Sequence, residues 1–251
     1  MNVPVVATVV VPTYNEAENI ARLVPELLAL PEQLSVIVVD DASPDGTGAL
    51  ADTFAERYAS RVSVIHRAGK LGLGTAYVAG FVAASQTGVD GVVTMDADFS
   101  HNPKYIGAML ARLADADLVI GSRYVPGGAA MNSPFGRRLL SRSANLVSRT
   151  ALGFVAHDVT AGFRVYRRSL LAALPIDRIF SSGYSFLIET LYLIERGGWR
   201  VAEVPIQFYD RTMGTSKVSR FEIARAMYTV MRLTARRLSA QQPSVAHPVE
   251  H

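Results

Sequence analysis

The chain contains no cysteine among its 251 residues. This absence excludes disulfide bonds, thiol catalysis and cysteine-based zinc sites, and it is compatible with a reducing cytosolic setting. Histidine is scarce, and the five present, at positions 66, 101, 157, 247 and 251, show no spacing typical of metal ligands. We therefore look for the chemistry of the chain in its carboxylates and its basic side chains.

The sequence also lacks a segment that we would predict to span a membrane. Residues 71–89 carry no charge and approach the ~20 residues of a membrane span. Their glycine, threonine, serine and glutamine content instead indicates a buried loop and helix. Residues 1–12 are apolar but lack the basic segment and cleavage site of a signal peptide, so we interpret them as leading into a first strand.

Net charge is small, at +3, and does not favour nucleic acid as a partner. The distribution of charge is uneven, however. Residues 121–168 contain eight arginines and the single acid Asp158, a local charge of +7. We expect this segment to attract anions.

Apolar segments alternate between strand-like and helix-like patterns. A β-branched run at residues 5–11 is typical of a strand covered on both faces. A helix as far as residue 30, a strand at 35–39 and a helix at 47–58 follow it. This alternation predicts an α/β fold with a Rossmann-like, mostly parallel sheet flanked by helices. We expect one domain over residues 1–238.

The same patterns place the remaining elements. Strands are predicted at 62–66, 91–95, 117–120 and 201–208, with a turn and strand within 158–166. Helices are predicted at 73–85, 105–113, 137–152, 169–173, 185–195 and 218–238, and a glycine- and proline-rich loop at 125–135.

Polar side chains follow three of the predicted strands, at residues 12–16, 40–46 and 96–101. Because ligands bind beyond the carboxyl ends of such strands, we expect these loops to meet. In the third loop Asp96 and Asp98 are two residues apart, and a strand would send both to one side. Such an oxygen pair suits Mg²⁺ or Mn²⁺. A strand followed by an aspartate-rich turn or helix cap is the alternative.

A glycine-rich turn at residues 69–74 carries Lys70. Together with the early acids it resembles a nucleotide site, in which acids hold the base and ribose while a metal, Lys70 and backbone amides hold a pyrophosphate. The turn matches neither the dinucleotide fingerprint nor the P-loop. A plain turn before a helix is the alternative.

The C-terminal part is basic, and its last helix has an apolar stripe. Residues 209–217 form a polar loop typical of a mobile, phosphate-contacting lid. The stripe residues recur at spacings of 3 and 4. They either dock on the core or, because basic residues surround them, lie on anionic lipid. Residues 239–251 are predicted to be a disordered tail. The stripe consists of Phe221, Ala224, Tyr228, Met231, Ala235 and Leu238.

Several blocks together resemble one family, the dolichol or polyprenol phosphate mannose synthases, which are inverting family 2 glycosyltransferases of the GT-A fold. The blocks are PTYNE at 12–16, VDDASPDGT at 39–47, MDAD at 95–98, GSRY at 121–124, EVPI at 203–206, DR at 210–211 and GTSK at 214–217. The resemblance covers nearly all of residues 5–238. It implies a mixed, mostly parallel sheet, GDP-mannose as donor, a polyprenyl phosphate as acceptor and a divalent metal, Mg²⁺ or Mn²⁺.

The resemblance also implies roles for residues at matching positions. Asp96 and Asp98 would hold the metal, and Asp96 also the donor sugar. Asp98, Arg123 and Arg137 would be catalytic, the two arginines binding the acceptor phosphate. The donor-binding residues would be Pro12, Tyr14, Glu16, Asp40, Asp41, Lys70, Asp96, Arg211 and Lys217.

Two features depart from the family pattern. Ser100 stands where some relatives have a metal-binding glutamine. Some relatives also end in transmembrane helices, which are not predicted here. The enzyme is therefore expected on the cytoplasmic face of a membrane, held by its basic helix or by a membrane-embedded partner subunit.

The expected chemistry agrees with the residues. A phosphate monoester has a second pKa of about 6, so the acceptor is largely a dianion at neutral pH and needs little general base. The task is to bring two anions together, which calls for a metal and arginine. Alternatives are a polyprenyl phosphate glucose synthase using UDP-glucose, a transferase acting on a sugar hydroxyl with Asp158 or Glu189 as base, and an inactive nucleotide-binding scaffold.

Overall fold

A computed structural model describes residues 6–132, 134–209 and 220–239. Its strands are β1 (Val6–Thr13), β2 (Gln33–Asp40), β3 (Val62–His66), β4 (Gly91–Thr94), β5 (Leu118–Ser122), β6 (Ala129–Met131), β7 (Arg164–Arg167), β8 (Val201–Pro205) and β9 (Gln207–Tyr209). Its α-helices are α1 (Ala17–Ala29), α2 (Thr47–Arg57), α3 (Leu73–Ser85), α4 (Ile106–Ala111), α5 (Phe135–Leu152), α6 (Arg168–Ala173), α7 (Ser185–Arg196) and α8 (Arg220–Leu238).

Seven strands form one sheet in the order β3-β2-β1-β4-β7-β5-β8. The pairings are parallel except those of β7, which runs antiparallel to both β4 and β5. Helices α1, α2 and α4 pack on one face of the sheet. Helices α3, α6, α7 and α8 pack on the other. The predicted α/β fold, with a mixed and mostly parallel sheet, is confirmed.

Strand β1 is central because both of its faces are apolar. Val9 and Val11 lie in the core beneath α1 and α2, whereas Val10 lies in the core beneath α3. All three side chains are fully buried. β1 pairs with β2 on one side and β4 on the other, so the chain changes direction across the sheet at β1. A ligand site is expected beyond the carboxyl ends of strands at such a point.

The predicted strand over 201–208 is in fact two strands in different sheets. β8 pairs with β5, whereas β9 pairs with β6. Strand β6 lies within residues 125–135, which were predicted to be a loop. Between them the N–H of Ile206 donates to the Ser122 carbonyl, and the Ile206 carbonyl accepts from Ala129. Ile206 thus joins both sheets, and Pro205, which lacks an N–H, ends the longer ladder.

The helix predicted over 105–113 is also interrupted, because 3-10 turns at Pro103–Tyr105 and Arg112–Ala114 flank the short α4. The apolar stripe predicted on the last helix points outward. All six of its residues are exposed, and α8 docks through Thr229, Val230 and Leu233. Core docking of that stripe was therefore the wrong alternative.

Within the described residues, no helix has the length and apolar character needed to cross a membrane. The uncharged segment at 71–89 contains the 13-residue α3. The predicted tail from residue 240 onward lies outside the described residues.

Close packing of α3 on β1 generates a stability prediction. A methyl group at Gly80 would overlap with Cγ1 of Val10, a branched and fully buried side chain. We expect Gly80→Ala to reduce the free energy of unfolding by about 1–2 kcal/mol, since overpacking outweighs the ~1 kcal/mol gain in helix propensity. Urea denaturation measures it.

Gly136→Ala is the matched control, because open space surrounds that helical glycine. This variant should be as stable as the wild type or more so. Equal stability of the two variants would contradict the packing account.

Candidate active site

Three loops follow the carboxyl ends of β1, β2 and β4, and each contains a non-glycine residue with a left-handed backbone. These residues are Asn15 (φ 56°), Ala42 (φ 53°) and Phe99 (φ 60°). A left-handed conformation costs roughly 1–2 kcal/mol for a residue other than glycine. The surrounding contacts therefore hold all three loops in fixed shapes, as is typical of ligand sites.

Asp45 fastens the first two loops together. Its carboxylate accepts hydrogen bonds from the N–H groups of Ala17 and Thr47 and from the Thr47 hydroxyl. The Thr47 hydroxyl oxygen in turn accepts from the N–H of Glu16. Burial alone would raise the pKa of Asp45, but these donors lower it overall. The start of α1, with the predicted donor residue Glu16, is thereby fixed against α2.

The adjacent acids Asp40 and Asp41 have different surroundings. Asp40 is buried and accepts hydrogen bonds from the hydroxyls of Thr13 and Ser43 and from the Ser43 N–H. Its carboxylate therefore serves to shape the loop. Asp41 is also buried, and its Oδ1 atom is paired with the guanidinium of Arg67 instead of with donors of its own loop. The two acids therefore have different tasks, since Asp40 shapes the loop and Asp41 contacts a neighbouring segment.

Arg67, which the sequence did not nominate, links Asp41 to the glycine-rich turn. Its Nε atom lies 3.2 Å from Asp41 Oδ1, and its Nη1 donates to the Gly72 carbonyl of the turn at 3.4 Å. Its Nη2 donates to the hydroxyl of Thr75 on α3 at 2.7 Å. Burial raises the pKa of Asp41, and Arg67, the Leu71 N–H and Lys70 offset this only in part. The turn is therefore built against the second acidic loop.

Lys70 extends from this turn over the first loop. Its Nζ atom lies 4.6 Å from the ring centroid of Tyr14, within the range of a cation–π contact. The structure thus brings together two residues that were predicted independently to bind the donor. Pro12 lies in β1, two residues before Tyr14.

The third loop carries Asp96 and Asp98, but our geometric reason for pairing them was wrong. β4 ends at Thr94, so neither acid lies on a strand. A turn places them instead, in which Asp98 Oδ1 accepts from the Ser100 N–H at 3.0 Å. The alternative of an aspartate-rich turn after a strand describes the backbone correctly.

Two buried side chains fix Asp96. The hydroxyl of Tyr77 donates to Asp96 Oδ1 at 3.5 Å, and the Asp96 N–H donates to His101 Nδ1 at 3.0 Å. His101 accepts at Nδ1, so its ring is neutral, in agreement with burial that lowers its pKa. Burial, and secondarily Asp96, raise the pKa of Tyr77 well above its ordinary value, so it remains a donor.

The loop after β5 presents Arg123 in a buried ion pair. The Nε and Nη2 atoms of Arg123 donate to the two oxygens of Asp158 at 2.8 and 2.7 Å, and Nη2 also donates to the Thr160 hydroxyl. Burial alone would raise the pKa of Asp158, but Arg123 and secondarily Arg164 lower it overall. Asp158 is consequently an ionised anchor for Arg123.

Glu203 on β8 supports this pair from behind. Its carboxylate accepts from the backbone N–H groups of His157 and Asp158 and contacts the His157 ring at 2.8 Å. The turn that carries Asp158 is thereby tied to the sheet. Glu189, the other candidate base, is 1% exposed and accepts from the N–H groups of Phe180 and Ser181.

His101 marks the place where the acids and the arginine meet. Its ring stacks on Phe163 and contacts the edge of Phe208, and the Arg123 guanidinium lies 5.2 Å from that same Phe208 ring. Burial lowers the pKa of His101, while Asp96 and Asp98 raise it and Arg123 lowers it. Because Phe208 contacts both His101 and Arg123, the third loop and the loop after β5 form one site.

Three predicted residues are not described at the level of side chains. Arg137 lies in the first turn of α5, but only its backbone position is described. Arg211 and Lys217 lie outside the described residues. β9 ends immediately before that segment, where the Tyr209 N–H donates to the Ser100 carbonyl at 3.4 Å. The predicted lid therefore starts at the aspartate loop.

Sequence patterns gave little sign of Arg67, Tyr77 and His101. Each acts through a neighbour. Arg67 and Tyr77 lie in glycine-rich or apolar stretches, where a single polar residue usually reflects packing, whereas His101 is the last residue of the polar loop at 96–101. Burial and hydrogen bonding identify them. For His101 the one signal available was its position, three residues after Asp98.

Comparison with known proteins identifies the family of the chain. The family model described as Glycosyl transferase family 2 matches residues 8–174. Polyprenol monophosphomannose synthase of Mycolicibacterium smegmatis is 47% identical over 223 residues, which cover 88% of this chain and 84% of that protein. Undecaprenyl-phosphate mannosyltransferase of Micrococcus luteus is 44% identical over 223 residues, which cover 89% and 91%.

Solved structures share the fold. Glucosyl-3-phosphoglycerate synthase from Mycobacterium tuberculosis, in complex with Mn²⁺, UDP and glucosyl-3-phosphoglycerate, superposes with a TM-score of 0.65 at 22% identity, covering 92% of this chain and 80% of that one. The same enzyme with Mg²⁺ and UDP gives 0.66 at the same identity and coverage. By the extent of the family match and the identity to both mannosyl-transferring relatives, this chain belongs to glycosyltransferase family 2, in the group that contains the polyprenol monophosphomannose synthases.

Proposed function

We propose that the protein transfers mannose from GDP-mannose to a polyprenyl monophosphate, giving polyprenyl phosphate mannose and GDP with inversion at the anomeric carbon. The observation that carries this proposal is the single site around His101, where Phe208 lies between the Asp96/Asp98 turn and the anchored Arg123. Such a site can hold a donor pyrophosphate and an acceptor phosphate side by side. The 44–47% identity to two enzymes that act on polyprenyl carriers supports the choice of acceptor.

The donor nucleoside would lie along the first two loops. Asp41, whose carboxylate is held beside this edge by Arg67, would accept from the N–H or O–H groups of a base or ribose. Tyr14 and Glu16 border the same edge, with Asp40 shaping the loop beneath them. Lys70, beside Tyr14, supplies a cation for the pyrophosphate.

The third loop fits a divalent metal, Mg²⁺ or Mn²⁺. Asp96 and Asp98 would hold it, and the buried hydroxyl of Ser100, which lacks a hydrogen-bond partner among the described residues, adds a third oxygen to the same turn. The described residues contain no cluster of three or more acidic or histidine ligands. Donor phosphates would therefore complete the coordination. When bound, the metal neutralises charge that develops on the departing GDP.

The acceptor phosphate would bind Arg123 and Arg137. Asp158 and Thr160 orient the Arg123 guanidinium, so little rotational freedom is lost on binding. One oxygen of the phosphate dianion attacks the anomeric carbon in line with the bond to the β-phosphate of GDP. A carbon–oxygen bond to the acceptor forms as the bond to GDP breaks, and no proton has to be removed.

The reaction would take place at the cytoplasmic face of a membrane, where the lipid acceptor is held. We propose that Arg211 and Lys217 close over the phosphates from the segment that follows β9. A membrane-embedded partner subunit would be a further means of delivering the acceptor. UDP-glucose is the second donor to consider, because the solved structures that share the fold include UDP-glucose complexes.

Donor identity generates the first functional prediction. The protein, incubated with polyprenyl phosphate, Mn²⁺ and labelled GDP-mannose, should move the label into organic solvent, whereas labelled UDP-glucose should give little transfer. Transfer from UDP-glucose alone would overturn the donor assignment. Metal-dependent binding of GDP without transfer of either sugar would favour the inactive scaffold.

The turn after β4 generates a second prediction. Asp98→Ala should reduce kcat by about 10²–10³-fold or more, because the charge developing on GDP loses its stabilisation. Calorimetric titration with GDP should also lose its dependence on Mn²⁺.

Asp115→Ala removes an exposed acid whose partner is Arg112 and serves as the matched control. It should change neither measurement. Turnover retained by Asp98→Ala in the presence of metal would show that the assignment is wrong.

The ion pair with Arg123 generates a third prediction, on pH. kcat/KM for the acceptor should rise through about pH 6 to a plateau, since the attacking dianion forms as the phosphate monoester loses its second proton. Asp158→Asn should keep that rise but increase the acceptor KM by about tenfold, the effect of losing one charged hydrogen bond.

A general base would behave differently. If Asp158 were the base, its replacement by asparagine would remove the pH dependence and lower kcat by about 10²–10⁴-fold. Thermal denaturation of the variant separates either effect from unfolding.

A further inference from the structure

Arg164 is a completely buried cation that has no acid as its partner among the described residues. Its relative exposure is 0%, and it is the largest side chain that the described part of the protein buries completely. Its hydrogen-bond acceptors are all uncharged, being the carbonyls of Val159 and Ala161 and the hydroxyls of Tyr166 and Thr190. Arginine is almost never fully buried unless it is paired, because removing a charge from water is costly. A charge held under these conditions calls for a function.

The position of Arg164 in the sheet places it between the two halves of the candidate site. It is the first residue of β7, where its backbone pairs with Thr94 on β4 and with Ile120 on β5. Strand β4 ends at Thr94 and leads into the turn with the two acids. Strand β5 leads into the loop that carries Arg123. Arg164 therefore lies at the base of both loops.

Two of its hydrogen bonds tie Arg164 to the turn at residues 158–161. Its Nε atom donates to the Ala161 carbonyl at 2.8 Å, and its Nη2 atom donates to the Val159 carbonyl at 3.1 Å. The same turn carries the carboxylate and the hydroxyl that orient the guanidinium of Arg123. Arg123 is thus bound to side chains of this turn, and Arg164 is bound to its backbone.

The ion pair of Arg123 with Asp158 is neutral by itself, and a neutral pair attracts a phosphate dianion only weakly. Burial raises the pKa of Asp158, whereas Arg123 and then Arg164 lower it, so the charge of Arg164 acts on this pair. Together the three side chains carry two positive charges and one negative charge. The group as a whole therefore stays positive, in an interior where charges are screened less than at the surface.

Glu189 is the other buried acid near these contacts, since it precedes Thr190 on α7. Its carboxylate accepts hydrogen bonds from the backbone N–H groups of Phe180 and Ser181. It forms no ion pair with Arg164. The positive charge of Arg164 is thus not cancelled by a direct partner on this helix.

We propose that Arg164 is a positioning residue that supplies the net positive charge which the Arg123–Asp158 pair lacks, and that this charge allows the pair to bind the phosphate dianion of the acceptor. Because Arg164 is fully buried, it acts through Asp158 and Arg123 and not by contact with the ligand. This inference rests on the proposed acceptor site and names a further residue for it.

Binding of a short-chain, water-soluble polyprenyl phosphate, measured by calorimetry at neutral pH without donor, tests the proposal. The neutral variants Arg164→Gln and Arg164→Met should each weaken binding by about tenfold, because the cluster loses its net charge. Arg164→Lys should stay within about threefold of the wild type, since it keeps the charge while losing the planar guanidinium.

The charge of the ligand separates an electrostatic role from a structural one. The methyl ester of the same lipid phosphate carries one negative charge where the monoester carries nearly two. Half the charge means half the interaction energy, so the neutral variants should weaken binding of the methyl ester by only about threefold. A change in the shape of the turn would weaken binding of both ligands to the same extent.

Arg167→Met is the matched control. Arg167 lies at the other end of β7, where its side chain pairs with Asp117 at the start of β5. This variant should bind both ligands like the wild type. Thermal denaturation establishes that each variant is folded before its affinity is compared. If neither neutral variant folds, the affinity of a folded Arg164→Lys decides the question.

Three results would overturn the proposal. Folded neutral variants bind the monoester as tightly as the wild type, they lose the same factor for both ligands, or a folded Arg164→Lys binds the monoester as weakly as they are expected to. A wild type that binds the monoester but transfers no sugar would count against the proposed function only. A wild type that binds no polyprenyl phosphate would overturn the acceptor assignment and this inference with it.

Discussion

Arg123 and Asp158 form a buried ion pair on which much of the site depends. An acid as buried as Asp158 is costly unless it is paired and hydrogen-bonded, and here both of its oxygens accept from the guanidinium. Asp158 is fully engaged by this pairing, and the pairing fixes the orientation of the Arg123 guanidinium. Glu203 ties the turn that carries Asp158 to the sheet. The result is a fixed cation, next to a loop of acids, that does not depend on a ligand for its position.

Much of the fold could be predicted because the strands are strongly patterned. The β-branched run in β1 is apolar on both faces, and only a central strand in a sheet covered by helices satisfies that requirement. The polar loops after β1, β2 and β4 then follow from topology. The break between β8 and β9 could not be predicted, since Val204, Pro205 and Ile206 continue an apolar stretch and only the pairing partners differ.

The helices α5 and α8 show a different limit of sequence patterns. Periodicity identifies an apolar stripe but does not say what covers it. In α8 the stripe is exposed, and a narrower side with Val230 and Leu233 faces the core. In α5 the buried positions include Asn145. This polar side chain is buried because it hydrogen-bonds the backbone of His157 and Val159, which lie beyond the end of the helix and so outside its periodic pattern. Asp96 and Asp98 are a milder case, because the sequence placed both acids in the loop after β4 but explained their pairing by a strand geometry that the turn does not have.

Asp158 and Glu189 are both held by hydrogen bonds within the protein, and this bears on the competing attack by water. Water is the most abundant competing nucleophile, and unlike a phosphate dianion it must lose a proton to attack a sugar effectively. The two acids considered as general bases are not available to accept that proton. Asp158 accepts hydrogen bonds from Arg123, and Glu189 accepts from backbone N–H groups at residues 180 and 181. If the proposed reaction is correct, the same arrangement would suit an ionised acceptor and would slow hydrolysis of the nucleotide sugar before the lipid binds.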